Sequence, residues 1–241
     1  MTRAVLSLAV VIGVTGCGGA DESTPPALTA DARVYWLLDG KVWPAARVVE
    51  TPGVAAAAVS ELLEGPTEQE QEELRFKTAM PDEAGSAEVS IVDGVAQVQL
   101  DVELGDEARA QVVYTLSQFS EIERVEIEEQ TLTRVDFESL TPAILVESPL
   151  AFEEVTSPLR VTGTANTFEA NFSYELTDTD GLIIAEDFVT ATSGTGTRGT
   201  FELTVPFEVK FDGVGSLIVF EPSAKDGSRT NLVEIPLRMK Q

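Results

Sequence analysis

Histidine is absent from the 241 residues of this sequence, and cysteine occurs once, at Cys17. Without histidine the chain cannot form a Ser-His-Asp triad, a histidine general base or most catalytic zinc sites. No Walker loop or dinucleotide fingerprint occurs, and Gly213-Val214-Gly215-Ser216-Leu217 departs from G-x-S-x-G at its last position. Carboxylates are so numerous that no pair of them marks a glycosidase site. We therefore expect no enzymatic activity, no catalytic residue and no cofactor.

Basic residues are also scarce. Lysine and arginine number 16 against 41 aspartates and glutamates, which gives a formal net charge of -25. Nucleic-acid binding requires the opposite charge, so we expect no nucleic-acid partner. Residues 31–140 are the more acidic part, with 24 acidic and 8 basic residues. Attraction of a cationic partner or of divalent ions is one interpretation, but we favour a solvated surface that keeps an exported protein soluble.

Long apolar runs are missing after Cys17, where no segment approaches the roughly 18 uncharged apolar residues of a transmembrane helix. The start of the chain is different. Met1-Thr2-Arg3 is cationic, residues 4–14 are apolar or small, and Val14-Thr15-Gly16-Cys17 places the cysteine directly after a small residue. This arrangement resembles a bacterial lipoprotein signal, in which the cysteine thiol receives diacylglycerol. A plain secretory signal with an incidental cysteine is the alternative.

The lipoprotein resemblance implies that residues 1–16 are a signal peptide and that Cys17 is the lipidation site, carrying fatty-acyl chains such as palmitate. Two or more chains anchor a protein stably, because each buried methylene contributes about 0.8 kcal/mol. We expect the protein on the extracytoplasmic side of the cell membrane, held there by lipid. Residues 17–31, which include Gly18-Gly19 and Pro25-Pro26, have no apolar period and predict a flexible tether.

Residues 32–140 predict an α+β domain in which a mixed sheet packs with two helices. The predicted strands, several of them bounded by Asp-Gly turns, cover residues 33–38, 42–50, 89–91, 95–100 and 124–128. The predicted helices cover residues 53–64 and about 106–119. Thr51 suits the N-cap and Pro52 the first position of the first helix. Trp36 and Trp43 fall on the first two strands, where we expect them to belong to the core rather than to a sugar-binding surface.

These residues resemble the GerMN domain of sporulation and germination proteins. The resemblance rests on Val34-Tyr35-Trp36-Leu37, Leu62-Leu63-Glu64-Gly65-Pro66, Met80-Pro81, Val92-Asp93-Gly94-Val95-Ala96 and Thr115-Leu116-Ser117-Gln118-Phe119. One segment departs from the family pattern: Glu128-Glu129-Gln130-Thr131 stands where the family usually has a glycine turn. The final hairpin of the domain is therefore expected to differ.

Residues 141–241 predict an all-β domain. About seven short strands separated by turn residues, without helical periodicity, are typical of an antiparallel sandwich. Ser157–Ala165, Phe168–Phe172 and Val219–Ser228 resemble the immunoglobulin-like domain of bacterial spore germination. Together the two resemblances imply a non-catalytic envelope protein that contacts other proteins or the cell wall, and they do not require a sporulating organism.

Calcium is the best candidate for a small ligand. Asp178-Thr179-Asp180-Gly181 is similar to the opening of an oxygen-rich calcium loop, which makes Asp178 and Asp180 weak metal candidates, with Asp212 or Asp226 nearby in a sandwich. The EF-hand pattern is not completed, because the glycine comes two positions early and no suitably spaced glutamate follows. A hairpin turn is the interpretation we favour, so no metal is expected.

Three functions of different classes remain. The first is a lipid-anchored adaptor or scaffold that binds envelope proteins or the cell wall, which predicts a rigid two-domain body with an exposed sheet edge or apolar patch. The second is an extracytoplasmic lipoprotein that binds a solute, a glycan or calcium, which predicts one concave pocket. The third, a hydrolase, is disfavoured by the missing catalytic groups. The first is our prediction, and the sequence leaves the oligomeric state open.

Overall fold

A computed structural model describes residues 28–241 of the chain. Its first part consists of a two-stranded hairpin, a four-stranded sheet and three helices. In chain order these are β1 (Thr29–Leu38), β2 (Lys41–Glu50), α1 (Val54–Glu64), α2 (Glu68–Glu73), β3 (Glu88–Val92), β4 (Val95–Gln99), α3 (Asp106–Leu116), β5 (Arg124–Ile127) and β6 (Gln130–Leu132). The order β3-β4-β5-β6 is mixed, because β4 and β5 run parallel while the outer pairs are antiparallel. The predicted α+β domain is confirmed.

The outer edge of β1 is covered mainly by side chains from one face of α3, and at Leu37 it also forms a β-bridge with Lys77. The Gln111 amide donates to the Tyr35 carbonyl at 2.8 Å, and the Thr115 hydroxyl accepts from the Tyr35 N–H at 3.2 Å. Just beyond the helix, Gln118 bonds both backbone groups of Arg33, at 2.7 and 2.6 Å. The four- and three-residue spacing places these three side chains on one side of the helix. Buried polar residues here satisfy a strand edge that would otherwise lack partners.

The second part is a β-sandwich. Its strands are β7 (Ile144–Ser148), β8 (Glu154–Val155), β9 (Leu159–Ala165), β10 (Asn171–Thr177), β11 (Ile183–Thr190), β12 (Gly199–Val205), β13 (Gly213–Pro222) and β14 (Arg229–Met239). One sheet has the order β12-β9-β7 and the other β11-β10-β13-β14-β8. The inner faces bury a continuous apolar core, in which the rings of Phe172 and Phe201 meet edge to face at 4.9 Å. The predicted all-β sandwich is confirmed.

Several local predictions are corrected. Thr51 does not cap α1: its hydroxyl donates to the Leu28 carbonyl, and Gly53, in the left-handed conformation at φ 95°, precedes the helix instead. The second predicted helix ends at Leu116, before Phe119. Strand β1 begins at Thr29, so the last residues of the predicted tether are paired with β2; residues 17–27 lie outside the described part of the chain.

Several short elements were not predicted, among them α2, β8 and the helical segment Arg134–Leu140. The Glu-rich segment forms α2. A capping box stabilises its N-terminus: the Thr67 hydroxyl accepts from the Glu70 N–H, and the Glu70 carboxylate accepts from the Thr67 N–H. The two-residue strand β8 pairs in parallel with the end of β14. Glu128 and Glu129 form the β5–β6 turn at φ 51° and 65°, the conformation in which glycine is usual, and so account for the departure from the family pattern.

No helix between residues 28 and 241 combines the length and the apolar character that crossing a bilayer requires.

Candidate interaction site at the domain interface

Strand β7 is apolar on both faces and belongs to two hydrophobic cores. Ile144 and Val146 face the interior of the sandwich, whereas Leu145 between them packs into the core of the first domain. All three side chains are almost fully buried. Because alternate residues of a strand point to opposite sides, this edge strand of the three-stranded sheet joins the two domains directly. An uninterrupted apolar run in a short strand is the sequence signal for burial on both faces.

The next outward position of β7 holds a charged group at the interface. Glu147 accepts a 2.8 Å hydrogen bond from the Arg134 guanidinium and a hydrogen bond from the Tyr35 hydroxyl. Arg134 belongs to the short helical segment Arg134–Leu140 that connects the domains, and its guanidinium lies 4.7 Å from the ring centroid of Tyr114. Arg33 donates to the Glu147 carbonyl at 3.2 Å. The carboxylate is thus held by Tyr35 of β1 and by Arg134 of the connecting segment, whose guanidinium lies over the aromatic rings.

The electrostatics of this cluster favour an ionised Glu147 and Arg134 beside a neutral Tyr35. Burial by itself would raise the pKa of Glu147, but the positive charge of Arg134 and the hydrogen bond from Tyr35 outweigh it and lower the pKa. Burial, reinforced by the Glu147 charge, raises the pKa of the Tyr35 hydroxyl, which therefore stays protonated and donates. Burial works against the charge of Arg134, yet Tyr35 and Glu147 raise its pKa. Arg134 and Glu147 are therefore ionised at neutral pH.

A second polar cluster connects the domains through Glu138 of the connecting segment. Arg198 donates two hydrogen bonds to the Glu138 carboxylate, at 2.9 and 3.0 Å, and a third to the Pro142 carbonyl at 2.8 Å. Asn166 also donates to Glu138 at 2.8 Å. Burial opposes ionisation of Glu138, but these hydrogen bonds lower its pKa. Bidentate pairing of this kind fixes orientation as well as distance.

A cleft of about 670 Å³ opens between the domains. One wall is the tip of the β1–β2 hairpin with residues 73–76, and the other consists of Val146, the loop 149–152 and β14. Most of the lining residues are apolar, and three of them, Val146, Val233 and Ile235, also belong to the sandwich core; the full set is Leu38, Trp43, Pro44, Leu74, Phe76, Val146, Pro149, Leu150, Ala151, Phe152, Leu232, Val233, Ile235 and Pro236. The charged residues on its lining are Asp39, Lys41, Glu73, Arg75 and Glu234. An apolar groove with a few charges at its margin suits a partner molecule.

Trp43 lines the cleft and contacts both domains. Its side chain packs partly buried against the core of each domain, and its indole N–H is shielded from solvent without a hydrogen-bond partner. Trp36, on the paired strand, is fully buried in the first core alone. Trp36 therefore lies in the core, as predicted. Trp43 packs against both cores, but it also lines the cleft, which was not predicted.

The residues predicted from the sequence lie elsewhere. Cys17 is outside the described residues. Asp178 and Asp180 lie on the β10–β11 hairpin loop, where Oδ1 of Asp178 accepts the N–H groups of Asp180 and Leu182 at 2.9 Å each. Asp212, by contrast, contacts Lys240 at the C-terminal end. Across residues 28–241, no three His, Cys, Asp or Glu side chains are grouped to hold a metal ion.

Comparison with protein families matches both halves of the chain. The family described as "Sporulation and spore germination" (Germane) matches residues 33–130, and the family described as "Immunoglobulin-like domain of bacterial spore germination" (Gmad2) matches residues 143–228. The chain contains both spore germination-related domains. The predicted resemblances to the GerMN domain and to the immunoglobulin-like domain are confirmed, and the interface described above lies between a Germane domain and a Gmad2 domain.

Among solved structures, the tandem GerMN domains of the sporulation protein GerM from Bacillus subtilis share 17% sequence identity with this chain at a TM-score of 0.34. That match covers 44% of this chain and 41% of the GerM chain, so the chain spans less than half of it. CopC from Methylosinus trichosporium OB3b shares 16% identity at a TM-score of 0.27, over 40% of this chain and 93% of CopC. No curated protein matches the chain.

Proposed function

We propose that the protein is a non-catalytic, lipid-anchored module of the cell envelope whose two docked domains bind another envelope protein or the cell wall. The observation that carries the proposal is the double role of β7, which places Leu145 in the core of the Germane domain and Ile144 in that of the Gmad2 domain. Two domains that share a strand present one continuous surface. Cys17 supplies the membrane attachment, and residues 18–27 the tether.

The surface also offers groups for recognition. Strand β11 is an edge of the five-stranded sheet and carries Phe188 and Ile183, which are largely exposed. The interdomain cleft adds an apolar groove. Exposed strand edges and apolar grooves are the features through which adaptor domains bind polypeptides.

Binding of a solute or glycan is the second candidate, and the cleft is the observation that favours it. Its volume falls in the range of small-molecule pockets. However, its lining is mainly aliphatic and prolyl, with few polar groups that converge on one point. A polypeptide occupant therefore suits the lining better than a sugar.

The test is crosslinking of the native protein in intact cells, with mass spectrometry of the captured molecules and with Cys17→Ala as the unanchored control. We expect acyl-chain labelling and membrane retention of the wild type only, together with one or two envelope proteins or wall fragments captured reproducibly. Capture of nothing beyond the protein itself would contradict the adaptor. Membrane retention of Cys17→Ala would contradict the lipid anchor.

A further inference from the structure

We propose that the interdomain cleft binds an extended, positively charged segment of a partner polypeptide, which adds as a new strand to the open edge of β14. This inference rests on the proposed adaptor function and specifies where and how it acts. It follows from the backbone of β14, from the side chains that flank it and from the charges around it.

The edge of β14 that faces the cleft is only partly covered. Strand β8 pairs with β14 at Arg238 and Met239 alone, and the Pro236 carbonyl accepts the Phe152 N–H at 2.7 Å. Because strand backbone groups alternate with a period of two, the N–H and C=O of Glu234 point to the same side as the Pro236 carbonyl and the Arg238 N–H, which bonds the Glu153 carbonyl. No strand of residues 28–241 pairs with Glu234 on that side.

The outer edge of β1 shows how a strand edge of this protein is covered, whereas the described residues leave the edge of β14 at the cleft open, like that of β11. Along β1, side chains of Gln111, Thr115 and Gln118 occupy the backbone groups that no strand reaches. Among the hydrogen bonds of the described residues, no side chain serves Glu234 in this way. Uncovered edges are templates for strand addition, and here the edge lies inside a groove instead of on a convex surface.

The walls of the groove fit the side chains of an added strand. In an extended peptide, alternate side chains point to opposite sides. One set would contact Trp43 and Pro44 on the Germane domain, and the other would face Phe152 and Leu232 on the Gmad2 domain. Both sets of contacts are apolar at the centre of the cleft, whereas its margin is charged. The peptide should therefore alternate apolar residues with long residues whose charged ends reach the margin of the cleft.

The charges at the margin select a basic peptide. Three carboxylates, Asp39, Glu73 and Glu234, border the cleft against two cations. The lining therefore carries one more negative than positive charge, and the Glu234 carboxylate also accepts a 2.8 Å hydrogen bond from the Ser216 hydroxyl. The whole protein carries a net charge of -25, which attracts a cationic segment at long range.

The experiment uses the full-length chain and a synthetic peptide of alternating lysine and valine, with an alternating glutamate and valine peptide and a backbone N-methylated lysine peptide as probe controls. Fluorescence anisotropy measures affinity, and hydrogen exchange followed by mass spectrometry locates the peptide. We expect the lysine peptide to slow exchange in residues 232–236, to bind more weakly at high salt and to lose affinity when N-methylated.

Two variants of Glu234 distinguish the contribution of its charge to peptide binding from that of its backbone N–H. Glu234→Gln should weaken the lysine peptide about two- to fivefold, as loss of an exposed ion pair does. Glu234→Pro removes the N–H group at the edge of β14 and should abolish the peptide's protection of residues 232–236 from hydrogen exchange. The strand already holds a proline, Pro236, at the next position on the same side. Glu208→Gln, at an exposed carboxylate between β12 and β13 that does not line the cleft, is the matched control and should leave affinity unchanged.

Equal binding of the acidic peptide, protection on β11 instead of β14, or no protection at all would overturn the cleft assignment. The crosslinking test distinguishes this failure from that of the adaptor. If cells expressing Glu234→Pro still capture the wild-type partners, the adaptor function stands and the cleft inference falls. If the wild type itself captures nothing, both fall.

Discussion

The Arg134 guanidinium lies 2.8 Å from the Glu147 carboxylate, and this ion pair joins the segment that leaves the Germane domain to the first strand of the Gmad2 domain. The two side chains are 25% and 13% exposed, so the pair is largely removed from water. Removal of one partner would leave the other charge poorly solvated, which is costlier than losing a surface pair. The pair therefore reports on whether the domains are docked.

Arg134→Met should lower the free energy of unfolding by about 2–3 kcal/mol, because the Glu147 carboxylate would remain buried without its cation. Urea denaturation measures this value. Arg160 provides a matched control, since it pairs with Glu202 on the surface at 68% and 56% exposure. Arg160→Met should cost less than about 1 kcal/mol. Equal effects of the two variants would contradict a special role for the interface pair.

Acidification should weaken the interface. The pKa values of Glu147 and Glu138 are lowered in the folded protein, so their stabilisation is complete above the unfolded-state pKa of about 4.3 and is lost as the pH falls through the lower folded pKa. Unfolding free energy measured between neutral pH and pH 3 should be level at first and then decline below about pH 5. The Glu147→Gln, Glu138→Gln double variant should decline less steeply, whereas Glu202→Gln should retain the wild-type profile.

Substitutions at neighbouring positions of β7 should destabilise different cores. Leu145→Ala removes a side chain from the Germane core, and Ile144→Ala removes one from the Gmad2 core. Each should cost about 2–5 kcal/mol because both residues are fully buried. Hydrogen exchange should show the loss of protection mainly in the Germane domain for Leu145→Ala and mainly in the sandwich for Ile144→Ala. The same pattern for both would show that β7 does not divide its faces in this way.

Gly163 should not tolerate a side chain. A Cβ there would lie 2.1 Å from the Leu145 carbonyl oxygen and 2.7 Å from the Phe201 ring, where β9 pairs with β7. Gly163→Ala should therefore destabilise the protein by at least about 1–3 kcal/mol, measured by thermal unfolding. Gly105→Ala is the control, because nothing lies within 4 Å and φ is -73°, and its effect should stay below about 1 kcal/mol.

Asp178 should stabilise a turn. Its carboxylate accepts two backbone hydrogen bonds, so Asp178→Ala should cost about 1–2 kcal/mol, whereas Asp180→Ala should cost less. Isothermal titration with calcium provides the decisive comparison. Calcium binding that is present in the wild type and lost in both variants would make this hairpin a metal loop after all.

The sequence predicts the fold where local signals are strong. Alternation around Asp93-Gly94 gives the β3–β4 hairpin, and the short strands of the second half give a sandwich. The predicted ends of the helices are wrong where tertiary contacts determine them. Thr51 has the right chemistry for a cap, but its hydroxyl bonds Leu28 instead. Helix propensity alone does not reveal that the segment after Leu116 turns so that Gln118 can reach β1.

The candidate site is less visible in the sequence because its residues come from distant segments. Arg134 and Glu147 are only 13 positions apart, yet Tyr35, which completes their cluster, is 112 positions from Glu147. No spacing rule connects such residues. The apolar run Ile144-Leu145-Val146 was the available signal, because a strand buried on both faces indicates a second body against it.

The sharing of β7 also restricts how the junction can change during evolution. Insertion of one residue between Leu145 and Val146 would turn the side chains after it to the opposite face and place Glu147 toward the sandwich interior. Changes of length in the connection before Ile144 leave the alternation within β7 intact, because a loop absorbs them. Relatives that retain this docking should therefore keep the length of β7, whereas the connection before it is free to vary.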